Sequence, residues 1–144
     1  MRALAIAVLL SAAVISTAAV ADQSTTWPAG AEVYIISPKN GAKVKSPVTV
    51  VFGLKGLGIA PAGVKMEGTG HHHLLVDTDP PADLNQPMPA TEHILHFGKG
   101  QTQVTLDAEK LPPGKHTLQL IFGDEVHIPH SPPLLSKKIT ITVE

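Results

Sequence analysis

Lys115-His116-Thr117-Leu118-Gln119-Leu120-Ile121-Phe122 places His116, Leu118, Leu120 and Phe122 at every second position. A repeat of two belongs to a β-strand with one face toward a core, whereas a helix needs a repeat of three to four. Lys138 to Val143 repeats the pattern, with Ile139, Ile141 and Val143 alternating with Lys138, Thr140 and Thr142. Val48, Val50 and Phe52 do the same upstream, as do Thr102, Val104 and Leu106 within Gln101 to Leu106. Glu32 to Ile36 reads as a first strand, stopped by the turn cluster Ser37-Pro38-Lys39-Asn40-Gly41. His71 to Asp77 is apolar enough for a strand, Gly53 to Gly70 is a glycine-rich connection with a ragged strand expected around Ile59 to Met66, and Thr78 to Pro89 is a proline-rich loop.

The 13 prolines and 12 glycines interrupt the 144-residue chain too often for long helices, and no amphipathic helical stretch competes. About seven short strands joined by turns predict an all-β fold, an immunoglobulin-like antiparallel β-sandwich. The predicted core holds Val50, Phe52, Leu74, Val76, Val104, Leu118, Leu120, Phe122, Ile139 and Ile141.

The amino-terminal stretch carries a different message. Arg2 precedes an apolar run from Ala3 to Val14, and Ala19-Val20-Ala21 forms a small-x-small site just before Asp22. That layout predicts a secretory signal peptide over residues 1–21, followed by a mobile leader over 22–31 and a single sandwich domain over 32–144. A retained anchor fits less well, because the run is rich in weakly apolar alanine and ends at a cleavage site. The expected location is periplasmic or secreted, with no membrane span after cleavage.

Charge and composition exclude several functions. The formal charge is −1, and the chain after Ala21 carries 10 lysines against 12 acidic residues, or −2. A nucleic-acid-binding domain would be basic, and aromatic residues at 3% offer no stacking platform for bases or sugars. Zero cysteine removes disulfides, thiol nucleophiles and Cys-x-x-Cys zinc sites. No nucleotide loop or Gly-x-Ser-x-Gly elbow is present, and no catalytic residue is nominated.

All eight histidines fall between His71 and His130. In the triplet, Leu74 and Val76 make the His72 face the more apolar one, so His72 points inward and His71 and His73 outward. Strand residues two apart are separated by about 6.6 Å, close enough for two imidazoles to meet one ion. His93 and His96 are three apart and meet only on a helical turn. His127-Ile128-Pro129-His130 suits a polyproline segment, whose three-residue turn returns both histidines to one side about 9 Å apart. His116 lies on a core-facing strand and reads as a satisfied structural histidine. The proposed centre therefore joins His71, His73, His127 and His130 around one copper or zinc ion, with His96 in reserve. Met66 and Met88 are the soft donors at hand, and Asp124 and Glu125 the nearest carboxylates.

Four motifs in this order resemble the bacterial domain-of-unknown-function 4399 family: Gly70 to Asp77, His96 to Thr102, Leu111 to Leu118, and Gly123-Asp124 through His127 to His130. The resemblance covers about Ser37 to Glu144 and implies an exported bacterial domain, with no activity or catalytic residues to carry over. Ser37 to Ala42 also resembles the opening of secreted immunoglobulin-like modules, including periplasmic copper-binding sandwiches.

Two functions compete. One is a binding module that holds copper or zinc for buffering or delivery. The other is a non-metal envelope module that meets a protein partner and whose histidines are structural or pH-responsive. A metal-dependent enzyme would further need an open coordination position and a substrate cleft. Export itself has a direct check: intact mass of the secreted protein should start at Asp22, and a chain starting at Met1 would contradict it.

Overall fold

The computed structural model describes residues 27–129 and 132–144, so the expected signal peptide and His130 lie outside the described residues. Ten strands and no helix are found among the described residues: β1 (Glu32–Ser37), β2 (Lys43–Val44), β3 (Val48–Lys55), β4 (Gly58–Ile59), β5 (Thr69–Val76), β6 (Ile94–His96), β7 (Gln103–Leu106), β8 (Gly114–Gly123), β9 (Leu134–Leu135) and β10 (Ile139–Val143). They form two sheets. One has the order β1-β3-β7 and the other β2-β10-β8-β5-β4, with β6 added to β5 and β9 to β8. All pairs are antiparallel except β2 with β10 and β4 with β5. The fold is an all-β sandwich, as the alternating patterns require.

The four longer alternating segments become β3, β7, β8 and β10. Three two-residue strands and the three-residue β6 are too short to produce a period, which is why about seven strands were expected and ten are present. The ragged strand expected at Ile59 to Met66 shrinks to Gly58–Ile59, because only those two residues pair with Thr69 and Gly70.

The sheets meet over Val33, Val48, Val50, Phe52 and Leu106 from one side and Leu74, Val76, Leu118, Leu120, Phe122, Ile139, Ile141 and Val143 from the other. Val104 was expected among them and is only partly buried, packing at the margin on the short β7.

β5 and β8 are the central pair of the larger sheet. Their register sets His72 opposite Phe122, Leu74 opposite Leu120 and Val76 opposite Leu118 on the inner face. Strand alternation then puts His71, His73 and Leu75 on the outer face. That face was expected to be open to solvent and is not. A second apolar cluster of Leu75, Met88, Ile94 and Ile121, with Leu84 and Leu135 against it, covers the outer face. Leu84 and Met88 come from the proline-rich loop after β5, and Leu135 from β9. With both faces covered, seven consecutive β5 residues, Gly70 to Val76, are buried.

Trp27, within the expected leader, packs its ring 5.3 Å from that of Phe122 and donates from Nε1 to the Pro129 carbonyl at 2.8 Å.

Leu120 is fully buried between the sheets. Leu120→Ala should cost about 2–5 kcal/mol, because the surrounding strands close only partly over the lost side chain. Urea denaturation should show a lower midpoint at unchanged slope.

Candidate metal centre

Three strands and one loop bring four imidazoles together at the end of the outer sheet face. His71 and His73 project from β5, and His96 projects from β6, directly opposite His73 in the register. β8 ends at Gly123, opposite His71, so the chain leaves the sheet beside the triplet. It then turns at once. The Asp124 carbonyl accepts the N–H of His127 at 3.0 Å, and Oδ1 of Asp124 accepts the N–H groups of Val126 and Ile128, each at 2.9 Å. His127 takes a left-handed φ of 70° at this turn. Its carbonyl accepts the N–H of Met88 at 3.0 Å, which ties the turn to the proline-rich cover.

One ring nitrogen from each of His71, His73, His96 and His127 lies within 4.8 Å of the other three. Nε2 of His71 is 3.0 Å from Nδ1 of His127 and 3.2 Å from Nε2 of His96. The rings of His96 and His127 are the closest pair, with centroids 4.6 Å apart. An imidazole nitrogen has one in-plane direction, holding either a proton or a lone pair. His71 Nε2 therefore cannot satisfy both neighbours fully by hydrogen bonding. Nδ1 of His71 and Nδ1 of His73 are buried with no hydrogen-bond partner.

Burial sets the protonation of the cluster. It pushes His71 down to about 4, helped by His127 and His96 beside it. It pushes His73 down to about 2, with His71, His96 and His127 adding to the effect. His96 is lowered as well, by burial of its ring and by His127. Neutral imidazoles with lone pairs directed at one small volume are what a transition metal requires.

The remaining histidines do other work. His72 faces the core as expected, with its ring 5.1 Å from Phe52 and 5.2 Å from Phe122, and burial lowers it to about 4 despite the nearby backbone of Gln101 and Gly53. His93 stays outside the group: it is exposed and its Nδ1 lies 3.0 Å from the Val76 carbonyl. His93 and His96 straddle the start of an extended strand, so they never become neighbours on a helical turn. His116 is structural. Its Nδ1 donates to Oδ2 of Asp77 at 2.6 Å and its Nε2 to the Pro112 carbonyl at 2.7 Å.

The sequence placed His96 in reserve, and the structure sets it among the four. His71 and His73 point away from the main core as expected, but both are buried rather than exposed, with the rings of His96 and His127 packed against them. The period-three argument for His127 and His130 has no counterpart at His127, which sits in a turn. Met88 is buried in the outer cluster and Met66 is exposed. Asp124 commits Oδ1 to the turn.

The family described as domain of unknown function (DUF4399) matches residues 50–144, and the chain belongs to that family. The match covers all four histidines of the group. No curated protein matches the sequence. An X-ray structure of an endo-beta-1,4-mannanase from Thermotoga petrophila is similar at 19% identity with a TM-score of 0.45. The similarity covers 79% of this chain and 20% of that one, so this chain spans about a fifth of the enzyme's length.

The metal-free protein should lose stability in mild acid. Above pH 6.5 the three triplet histidines are neutral whether the chain is folded or unfolded. Below it the unfolded chain takes protons that the folded chain refuses until about pH 4 for His71 and His72 and lower still for His73, so stability drops across that window. His116 works in the opposite sense. Burial lowers it, but Asp77 and the Pro112 carbonyl outweigh burial and raise it above 6.5. Its contribution is complete below pH 6.5 and fades as pH rises through the raised value. His116→Gln should therefore cost more stability at pH 6 than at pH 9, read by urea denaturation at each pH.

Proposed function

We propose that this DUF4399 member is an exported, periplasmic module that holds one transition metal ion, copper(II) or zinc, for buffering or delivery. The observation that carries this reading is the meeting of four imidazole nitrogens within 4.8 Å. A four-coordinate ion at about 2.0–2.1 Å from each nitrogen needs neighbouring nitrogens about 3 Å apart. Two of the contacts, at 3.0 and 3.2 Å, already have that separation. Shifts of about an ångström in the other rings complete the site, within what a pair of χ rotations supplies.

Donor chemistry supports the same ions. An all-imidazole set suits zinc and copper(II), and at equal geometry copper(II) binds more tightly. Hard cations such as calcium prefer oxygen ligands, which this group lacks. Export is supported by the apolar run and small-x-small site before Asp22. The competing reading is an envelope module whose histidines only bond one another, and the His71–His127 and His71–His96 contacts favour it. Against a pure network stands Nε2 of His71, which has two imidazole neighbours for a single in-plane direction, whereas one ion at the centre would meet a lone pair from each ring.

Titration of tag-free mature protein with copper(II) or zinc should show one ion per chain. The melting temperature should rise with added metal, because only the folded chain assembles the site; at a hundred-fold excess over Kd the gain is about 2.7 kcal/mol. H71Q/H73Q should abolish tight binding and keep the β-sheet circular dichroism spectrum. Unchanged binding in that double variant would place the ion elsewhere and sink the reading.

A further inference from the structure

Gly98 follows His96 by two residues, in the turn after β6, and nothing in its backbone asks for glycine. It is absent from the glycines with positive φ, so any residue could adopt its conformation. Space is the constraint instead. A Cβ at Gly98 would lie 2.3 Å from Cε1 and 2.6 Å from Nε2 of His96, far inside van der Waals contact. Nε2 is the same atom that approaches His71 at 3.2 Å. The Gly98 backbone is itself held in place, since its carbonyl accepts the N–H of Ala62 at 2.9 Å. If a side chain appears at 98, the ring has to leave.

His96 can leave easily. His71 and His73 are buried in the sheet, but His96 is exposed and has solvent to swing into. Gly123 shows the same device on the buried side: a Cβ there would lie 3.1 Å from Cε1 of His73 and 3.4 Å from Cα of His127. Gly123 also has no positive φ. The turn after β6 and the end of β8 are thus bare where imidazoles of the group lie across them.

We infer that Gly98 is a positioning residue of the metal centre, whose missing side chain lets the His96 imidazole lie against His71 and His127. The inference rests on the metal reading above. It assigns the affinity of the site partly to a residue that offers no ligand atom.

The test compares mature wild type, G98A, H96A and H96A/G98A by copper(II) titration in competition with a chelator. The electron paramagnetic resonance spectrum of bound copper and the melting temperature of each metal-free protein complete the measurements. G98A should weaken copper binding by about ten-fold, the scale set by residues that orient ligands, and should shift the spectrum toward that of H96A. Its metal-free melting temperature should stay close to wild type. In the H96A background G98A should change neither affinity nor spectrum, because the ring it displaces is gone. If G98A alone does not fold, H96A/G98A should fold, since the methyl group then occupies the space left by the ring; failure of both overturns the inference. Equal binding by G98A and wild type, or the same loss with and without His96, overturns it while leaving the metal reading intact. Wild type that binds no copper(II) overturns both.

Discussion

The antiparallel pairing of β5 with β8 is the constraint on which the rest depends. Its inner rungs, His72 with Phe122, Leu74 with Leu120 and Val76 with Leu118, form the centre of the core. Because the side-chain repeat is two, the same rungs force His71 and His73 to the outer face and end β8 beside them. A slip of one residue would move Leu74 and Val76 out of the core and expose both to the opposite side. The apolar rungs make that slip expensive, at about 1.5–3 kcal/mol for each large side chain withdrawn from burial. Core packing thus fixes the position of two candidate ligands that contribute nothing to the core themselves.

The outer face is where this sandwich departs from a plain one. An antiparallel sheet commonly leaves one face wet. Here Leu84, Met88 and Leu135 close over Leu75, Ile94 and Ile121, and His71 and His73 on the same face are buried as well. Burying imidazole costs free energy unless its nitrogens find partners, and the cover supplies none to Nδ1 of either residue. The same burial holds the rings neutral down to low pH. At an exposed histidine protons would compete with a metal ion for the ring lone pair near pH 6.5; burial weakens that competition at His71 and His73, at a cost to the stability of the fold.

Much of this was legible in the residues themselves. His72 could be turned inward because Leu74 and Val76 share its face, and His116 because Leu118, Leu120 and Phe122 share its own. Alternation and turn residues gave the sandwich. The burial of His71 and His73 was not legible, because His96 and His127, whose rings pack against them, come from a three-residue strand and a turn with no period to read. His96 was ambiguous for a related reason: Pro87 and Pro89 obscure the local conformation, and three residues of β6 are too few to alternate. For His127, proline at 129 suggested a polyproline segment, whereas Asp124 draws the backbone into a turn through its side chain. Gly98 was missed because a glycine in a turn invites a conformational explanation, and only the place of the His96 ring reveals a steric one.

His116 and the four-histidine group are the same side chain under opposite conditions. At His116 both ring nitrogens face acceptors, a carboxylate and a carbonyl, so two protons are needed to satisfy both contacts and the cationic form is favoured. At the outer face Nε2 of His71 has two imidazole neighbours for one in-plane position, and its Nδ1 has no partner. Adding protons there sets like charges within about 3 Å of one another, while a cation at the centre turns each lone pair into a favourable contact. The partners of each ring decide whether a histidine in this fold holds a proton or stays neutral, and β5 carries both outcomes within a few residues: Asp77, just past its end, holds His116, and His71 with His73 opens toward His96 and His127.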